Sequence, residues 1–177
     1  MSDKKNIRTE QSEIRLGIII ISDRATTGER PDETIPLVRS WCTGKSMVLA
    51  LSLTVPDDRS AIRKALERTL QKEDLDVVIT SGGTGLSERD ITPEITRKFI
   101  DKATPGIDEF LRAMGRQRTP FAVLSRGISG MAGNCLVVNM PGNPQAVIDN
   151  LDWLHPIISH ALRVNRGSAA DSEHQAK

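Results

Sequence analysis

The stretch Leu16-Gly17-Ile18-Ile19-Ile20-Ile21 (LGIIII) is an unbroken apolar run of mainly β-branched residues, bounded by Arg15 and by Ser22-Asp23. A run of this kind predicts a strand that is covered on both faces, as the strands of parallel sheets usually are. Similar short runs recur at 48–55, 76–80, 121–124 and 136–140. The sequence therefore predicts a mostly parallel sheet that includes all five segments.

Helical patterns lie between these runs. The clearest covers residues 58–72 (DRSAIRKALERTLQK), where Ile62, Leu66 and Leu70 share one face. Three pairs of a capping residue and a proline predict further helix starts, at Thr92-Pro93, Thr104-Pro105 and Asn143-Pro144. The last of these opens a long amphipathic helix that Pro156 should kink. Alternating strands and helices indicate a doubly wound α/β domain with helices on both faces of the sheet.

One folded domain is expected over residues 15–166, because the segments 1–14 and 167–177 lack periodicity and read as tails. No apolar run approaches the ~20 residues of a membrane span, and the polar N-terminus has no signal-peptide pattern. We therefore expect a cytoplasmic protein that makes no membrane contact. The two cysteines, Cys42 and Cys135, stand in no metal-binding spacing and suggest neither a disulfide framework nor a zinc site.

The charge balance argues against a nucleic-acid partner. Lys and Arg number 24 against 23 for Asp and Glu, so the chain lacks the basic field that nonspecific binding to phosphate backbones requires. Tyrosine is absent and aromatic residues make up 3% of the chain, which disfavours a base-stacking surface. We therefore expect no nucleic acid to bind.

The loops that follow the predicted strands should carry the chemistry, because open α/β sheets bind ligands beyond the carboxyl ends of their strands. The segment 80–94 (TSGGTGLSERDITPE) contains three glycines in four positions. Such a loop can adopt positive φ and direct successive backbone N–H groups at phosphate oxygens. It matches neither the dinucleotide fingerprint nor the P-loop. A purely structural turn is the competing interpretation, which the following Arg89-Asp90 pair and the predicted helix start weaken.

Four more polar loops follow predicted strands, at 22–32, 55–58, 125–127 and 139–144. Helix capping is the simpler explanation for several of their side chains, since Asp32 and either Asp57 or Asp58 could each cap the next helix. A structural account nevertheless gives no reason for five such loops all to follow strands. Their shared position favours a ligand site.

Six segments together resemble one known family. They are ISDRATTGERPD, VPDD, TSGGTGLSERDITPE, TPG, LSRG and VVNMPGNPQAV. This set resembles the molybdopterin adenylyltransferases of molybdenum-cofactor biosynthesis, which include the bacterial Mog protein and the G domains of gephyrin-like proteins. The resemblance spans about residues 15–164. It implies a Rossmann-like α/β fold, usually a homotrimer, that uses ATP and Mg²⁺ to transfer AMP to the terminal phosphate of molybdopterin. Pyrophosphate is the second product, and a downstream molybdate-insertion protein is a further partner that the sequence leaves open.

The resemblance also implies roles for individual residues. Asp57 and Asp90 match two family aspartates tied to catalysis, and we expect them to hold Mg²⁺. The nucleotide is expected on two loops, formed by Gly82, Gly83, Thr84 and Gly85 and by Pro141, Gly142 and Asn143. The pterin and its phosphate are expected on Ser22, Asp23, Ser125 and Arg126. Among these, Arg126 is the candidate for gripping the phosphate, because a guanidinium group can donate two parallel hydrogen bonds to it.

Two positions depart from the family pattern. Relatives commonly carry Gly where Thr34 stands and Arg where Ala132 stands. Thr34 should alter only a helix start, whereas Ala132 removes an anion contact and should affect ligand affinity.

No histidine or cysteine is needed for this chemistry, because a phosphate monoester is already anionic near neutral pH. His155, His160 and His174 fall on the last predicted helix or in the tail and read as structural or solvated. The reaction instead needs two anions to be positioned and the charge on pyrophosphate to be neutralised.

Three alternatives remain open at this point. The chain could be a scaffold that binds molybdopterin without adenylylating it, although the presence of both Asp57 and Asp90 argues against this. It could be a hydrolase-like relative of the competence-damage family, which normally carries an extra domain for which this chain has no room. It could also be a nucleotide-binding domain of another kind, which would require that no pterin binds.

Overall fold

A sheet of six strands forms the centre of the computed structural model, which describes residues 13–72 and 74–166. The strands are β1 Ile14–Ile21, β2 Met47–Val55, β3 Val77–Ser81, β4 Lys102–Ala103, β5 Ser129–Ala132 and β6 Cys135–Met140. Their order is β2-β1-β3-β6-β5-β4. Strands β2, β1, β3 and β6 run parallel, whereas β5 is antiparallel to both β6 and β4. The predicted mostly parallel α/β sheet is confirmed.

Six α-helices accompany the sheet in this part of the chain. They are α1 Asp23–Thr26, α2 Thr34–Cys42, α3 Arg59–Lys72, α4 Thr92–Thr96, α5 Pro105–Gly115 and α6 Pro144–Asn165. The amphipathic helix predicted over 58–72 is therefore confirmed as α3. The predicted tails, 1–14 and 167–177, lie outside the described residues except for positions 13 and 14, and Ile14 opens β1.

The side chains of β1 alternate between two hydrophobic cores. Leu16, Ile18 and Ile20 pack with α2 and α6 on one face of the sheet. Ile19 and Ile21 pack with α3 and α4 on the other. Each fully buried side chain of this size contributes about 1.5–3 kcal/mol relative to exposure. Helices thus cover both faces, as the continuous apolar run predicted.

Residues 121–124 do not form the predicted strand. They belong to a turn of 3-10 helix, Pro120–Leu124, and the Phe121 side chain is 74% exposed. Thr119 caps this turn by accepting a hydrogen bond from the Phe121 N–H at 3.4 Å. Four consecutive apolar residues predicted a buried strand, but Pro120 and the Thr119 cap favour a helical turn.

The three predicted helix starts differ in their capping. Asn143 caps α6 as predicted, since its Oδ1 accepts from the Ala146 N–H at 3.1 Å. Thr104 precedes α5, but its hydroxyl contacts the Ser129 hydroxyl at 2.7 Å instead of capping the helix. Thr92 was predicted to cap α4 and does not, because it is the first residue of that helix and Ile91 occupies the cap position.

Further predictions concern single cysteine and histidine residues. Cys42 and Cys135 are both buried and unpaired, and burial raises the pKa of the Cys135 thiol to about 12. His155 packs edge-on against the Trp41 ring, with the ring centres 5.7 Å apart, which is a structural role. His174 lies outside the described residues.

No helix in the described part of the chain combines the length and apolar character needed to cross a bilayer.

The register of the parallel strands brings the loops that follow them together. Ile21 pairs with Val55 and Ile20 with Ser81, and Ser81 in turn pairs with Met140. The four strands therefore end almost level. The loops after β1, β2, β3 and β6 consequently start side by side at one edge of the sheet.

Candidate functional site

The glycine loop after β3 adopts the backbone conformation that its sequence predicts. Gly82 and Gly83 have φ of +113° and +64°, a region that residues with a side chain rarely adopt. A Cβ on Gly82 would overlap the carbonyl oxygen of Ile21, and the Gly82 N–H donates to the Met140 carbonyl at 3.1 Å. Gly142 lies against this loop, because a Cβ there would be 3.5 Å from the Gly82 Cα. The two loops predicted to bind nucleotide are therefore in contact.

Carboxylates that follow three different strands lie beside the glycine loop, with Asp57 next to Gly83 and Asp90 next to Gly85. Asp23 Oδ1 accepts from the Asp57 N–H at 2.9 Å, and the other Asp23 oxygen forms an ion pair with Arg89. The hydrogen bond from Asp57 N–H, followed by that from Arg89, lowers the pKa of Asp23. The Asp90 side chain is held by a hydrogen bond within its own loop, in which Oδ2 accepts from the Ser87 N–H at 2.9 Å.

Asp57 is the carboxylate with the least favourable surroundings in this group. The pKa of Asp57 is raised, and burial is the largest cause. Repulsion from the Asp90 and Asp23 carboxylates raises this pKa further, whereas the positive charge of Arg89 lowers it. Its Oδ1 is buried and makes no hydrogen bond. A carboxylate oxygen in this state is costly unless a donor or a cation reaches it.

Helix capping does not explain Asp57, because its neighbour performs that task. Asp58 Oδ1 accepts from the N–H groups of Ser60 and Ala61, both at 2.9 Å, at the start of α3. The capping explanation does hold for Asp32, which accepts from the N–H groups of Thr34 and Ile35 at 3.1 and 2.9 Å. The structure therefore separates two adjacent aspartates that the sequence left equivalent.

The carboxylates fit a magnesium ion that arrives with a ligand. No group of three His, Cys, Asp or Glu side chains suited to holding a metal occurs in residues 13–72 and 74–166. Mg²⁺ commonly takes one or two protein carboxylates and completes its shell with water and substrate phosphates. Asp57 and the nearby Asp90 supply that number of carboxylates. The donor set suits a cation delivered with a polyphosphate better than a resident metal.

Two clefts open beside the glycine loop. The larger, of about 880 Å³, is bounded by the loops after β3 and β6, by α5, by the 3-10 turn and by α6. Five predicted site residues line it: Thr84, Gly85, Ser125, Pro141 and Asn143. Apolar side chains make up much of its wall: Leu86, Leu111, Phe121, Leu124 and Trp153.

The smaller pocket, of about 220 Å³, lies on the side of α1 and α2. Ser22 and Gly142 line it, together with the cationic side chains of Arg24 and Arg30. Thr34 also lines this pocket. Ala132, the second departure from the family pattern, lies at the end of β5 opposite Cys135 and lines neither cleft.

Arg126 connects two loops of the site. Its Nε donates to the Gly85 carbonyl at 2.6 Å, and its guanidinium group also bonds to the Asp90 carbonyl and to the Glu94 carboxylate. Three of the five N–H donors of this side chain are thus used within the protein. Its predicted contact with a phosphate stays a prediction and would depend on the other two donors.

The residues predicted for the pterin and its phosphate are spread over different parts of the site. Ser22 lines the smaller pocket and Ser125 the larger cleft. Asp23 lies among the carboxylates, and Arg126 holds the loop between Gly85 and Glu94. They surround the glycine loop but do not line one common pocket.

Sequence reasoning missed three further residues of the site. Thr92, read only as a helix cap, is fully buried and its Oγ1 makes no hydrogen bond. Asp108 and Arg112 of α5 both line the larger cleft, and Arg112 donates to the Gly127 carbonyl at 3.1 Å. Asp108 and Arg112 are four positions apart in the sequence, so they lie on the same side of the helix, and this spacing is the sequence signal that could have identified them.

Comparisons with known proteins identify the family of this chain. The model of a family described as a probable molybdopterin binding domain matches residues 17–160. A molybdopterin adenylyltransferase of Helicobacter pylori is 33% identical over 88% of this chain and 89% of its own length. The molybdenum cofactor synthesis protein cinnamon of Drosophila melanogaster is 32% identical over 85% of this chain, which spans only 25% of that longer protein.

A solved structure gives the same result for the fold. The molybdopterin biosynthesis enzyme MoaB of Thermus thermophilus superposes with a TM-score of 0.80 at 40% identity, covering 87% of this chain and 97% of its own. The family match covers most of the chain, and the bacterial relative is similar over nearly its whole length. The chain therefore belongs to the molybdopterin adenylyltransferase family of nucleotidyltransferases, and its residues 17–160 form a probable molybdopterin binding domain.

Proposed function

We propose that this protein transfers AMP from ATP to the terminal phosphate of molybdopterin in the presence of Mg²⁺. The observation that carries the proposal is the state of Asp57. This carboxylate is partly buried beside Asp90, has an unpartnered oxygen, and has no capping role because Asp58 caps α3. A polar group left in that state is typical of a functional site.

The reaction is a displacement at the α-phosphorus of ATP. An oxygen of the molybdopterin phosphate forms a bond to that phosphorus, and the bond from it to the bridging oxygen of the β-phosphate breaks. The electron pair leaves with pyrophosphate, and adenylyl-molybdopterin is the second product. The attacking monoester has a second pKa of about 6, so it needs no general base near neutral pH.

The residues of the site would bind and orient the two anions. Asp57 and Asp90 would hold Mg²⁺, which when bound neutralises charge on the triphosphate. Backbone N–H groups of Gly83, Thr84 and Gly85 would donate hydrogen bonds to the phosphate oxygens. The N–H of Gly82 already donates to the Met140 carbonyl, so Gly82 would contribute space for the close approach of the phosphate instead of a donor. Arg89, held beside these carboxylates by its ion pair with Asp23, adds positive charge at the same edge.

The two clefts support separate binding of the ring systems and of phosphate. The larger cleft has the size and the mainly apolar lining of a site for a drug-sized ligand, and most of the predicted nucleotide residues border it. We propose that it receives the nucleotide. The smaller pocket is lined by Arg24 and Arg30 beside Ser22, and also by Asp32 and Glu33. Both oxygens of Asp32 are used in capping α2, so we propose that the two arginines receive the phosphate end of molybdopterin.

We further propose that the protein is a cytoplasmic homotrimer, as the family resemblance implies. Sedimentation should then give about three times the 19.4 kDa chain mass. Docking of a molybdate-insertion protein remains a further proposal, to be tested by co-sedimentation.

The deciding experiment is incubation with ATP, Mg²⁺ and molybdopterin, followed by detection of adenylyl-molybdopterin and pyrophosphate. Asp57→Asn and Asp90→Asn should each lower the single-turnover rate by about a hundredfold to a thousandfold, the usual loss when charge stabilisation is removed. Asp58→Asn is the matched control and should stay near the wild-type rate, since asparagine also caps helices. Wild-type protein that retains pterin but yields no product would favour the scaffold alternative.

A further inference from the structure

Thr92 carries a buried hydroxyl that the fold does not use. The side chain is fully buried at the start of α4, and its backbone N–H donates to the Gly83 carbonyl at 3.1 Å. Its Oγ1 has no hydrogen-bond partner. An unsatisfied buried hydroxyl costs about 1–3 kcal/mol, so a valine of the same shape would suit the fold better.

The unpartnered oxygens of Thr92 and Asp57 face the same small space. A Cβ placed on Gly83 would overlap Thr92 Oγ1 and would lie 3.5 Å from Asp57 Oδ1. A hydroxyl can donate a hydrogen bond and a carboxylate oxygen can accept one. The two groups are therefore complementary, although no hydrogen bond joins them in this structure.

We propose that Thr92 is a positioning residue, whose hydroxyl holds the inner oxygen of Asp57, directly or through one water, when nucleotide and cation occupy the site. The proposal rests on the function proposed above. Hydrogen bonds at such sites are often long or unformed before the ligand binds and tighten in the complex. Held by Oδ1, the Asp57 carboxylate would keep Oδ2 directed at the bound cation. Gly83 supplies the space, because any side chain there would enter it.

The described residues offer a matched comparison. Thr69, in α3, is also fully buried with an unpartnered hydroxyl, and it lies in a different part of the molecule, where its methyl group is 3.7 Å from a Cβ built on Gly17. If buried threonine hydroxyls were merely tolerated, Thr92→Val and Thr69→Val would behave alike. The proposal requires them to differ.

The test measures binding of Mn²⁺, as a spectroscopic substitute for Mg²⁺, together with a non-hydrolysable ATP analogue. Thr92→Val should weaken Mn²⁺ affinity in the presence of the analogue by about tenfold or more, which corresponds to about 1.4 kcal/mol. Thr92→Ser, which keeps the hydroxyl, should stay within about threefold of wild type. Thr69→Val should leave the affinity unchanged. The melting temperatures of both valine variants should equal or exceed that of wild type.

Several outcomes overturn the proposal. Wild-type Mn²⁺ affinity in Thr92→Val does so, and so does equal loss in the valine and serine variants. A wild-type protein that binds no Mn²⁺ with the analogue also overturns it. If Thr92→Val does not fold, Thr92→Ala takes its place against Thr92→Ser. Loss of Mn²⁺ affinity in Thr92→Val, with no adenylyl transfer by the wild type, would support the role of Thr92 while refuting the proposed reaction.

Discussion

Gly83→Ala is the substitution whose effect the structure defines most closely. At φ of +64° a residue with a Cβ costs about 1–2 kcal/mol relative to glycine. The new methyl group would also overlap Thr92 Oγ1, and overpacking of a buried contact usually costs about 1–3 kcal/mol more. We expect a total loss of about 2–5 kcal/mol, which leaves a domain of ordinary stability folded but weakened.

Gly133→Ala is the matched control for the backbone. Gly133 has φ of +59°, nearly the same value, and a Cβ there would meet nothing within 4 Å. Its cost should therefore be only the conformational part, about 1–2 kcal/mol. Urea unfolding of both variants at 25 °C gives the difference between them, provided that the slope with denaturant is unchanged.

A second substitution identifies the atom that causes the extra loss. Thr92→Ala removes the hydroxyl that the new methyl group would overlap, so Gly83→Ala should cost less in that background than in wild type. Gly83→Ala should also weaken nucleotide binding, whereas Gly133→Ala should not. Equal costs at Gly83 and Gly133, to within about 0.5 kcal/mol, would refute the close contact between Gly83 and Thr92 on which this reasoning depends.

Three further predictions concern charged residues around the same loop. Because the pKa of Asp57 is raised in the folded protein, its ionised form destabilises the fold, so Asp57→Asn should raise the melting temperature at neutral pH. That gain should shrink as acidification protonates Asp57 in the wild type, and thermal unfolding across about pH 4–8 measures it. Arg126→Lys removes bonds to Gly85 and Asp90, so amide hydrogen exchange in the loop after β3 should become faster than in wild type. Asp58→Ala should cost about 1 kcal/mol in urea unfolding through loss of the cap, with adenylyl transfer within threefold of wild type.

The parallel part of the sheet could be predicted because its signal is local. Each of its strands is a short apolar run, and burial on both faces leaves little room for polar residues. The run at 121–124 shows the limit of this reasoning. Its residues are as apolar as a buried strand, yet they form an exposed turn, because burial depends on neighbours that the run itself does not specify.

The antiparallel edge of the sheet was missed although one sequence signal was present. Strands β5 and β6 are joined by Gly133-Asn134, a dipeptide typical of two-residue hairpins. The residues of β5, Ser129–Ala132, have little intrinsic preference for strands, and β4 is only two residues long. Both depend on pairing with β6, which apolar pattern alone does not reveal.

The residues of the candidate site also differ in how far the sequence alone predicts their conformation and contacts. The positive φ of Gly82 and Gly83 follows from their own sequence. The difference between Asp57 and Asp58 does not, because either could cap α3 until the exit direction of β2 is known. The partners of Arg126 lie 32 to 41 positions away in the chain, so its contact with the glycine loop is visible only in three dimensions.

The energetically unfavourable features of this site are concentrated around one glycine. Two of the three unpartnered buried side-chain oxygens of the described residues, Asp57 Oδ1 and Thr92 Oγ1, lie beside Gly83, which itself has an unusual backbone conformation. Repulsion from Asp90 and Asp23 acts on the same carboxylate. Independent defects would be scattered over the molecule, whereas a binding site requires unsatisfied groups to face a common point. A ligand that brings both a cation and phosphate oxygens would supply partners for the unpartnered oxygens and offset the repulsion on Asp57, which makes this point, and not either cleft alone, the expected centre of the reaction.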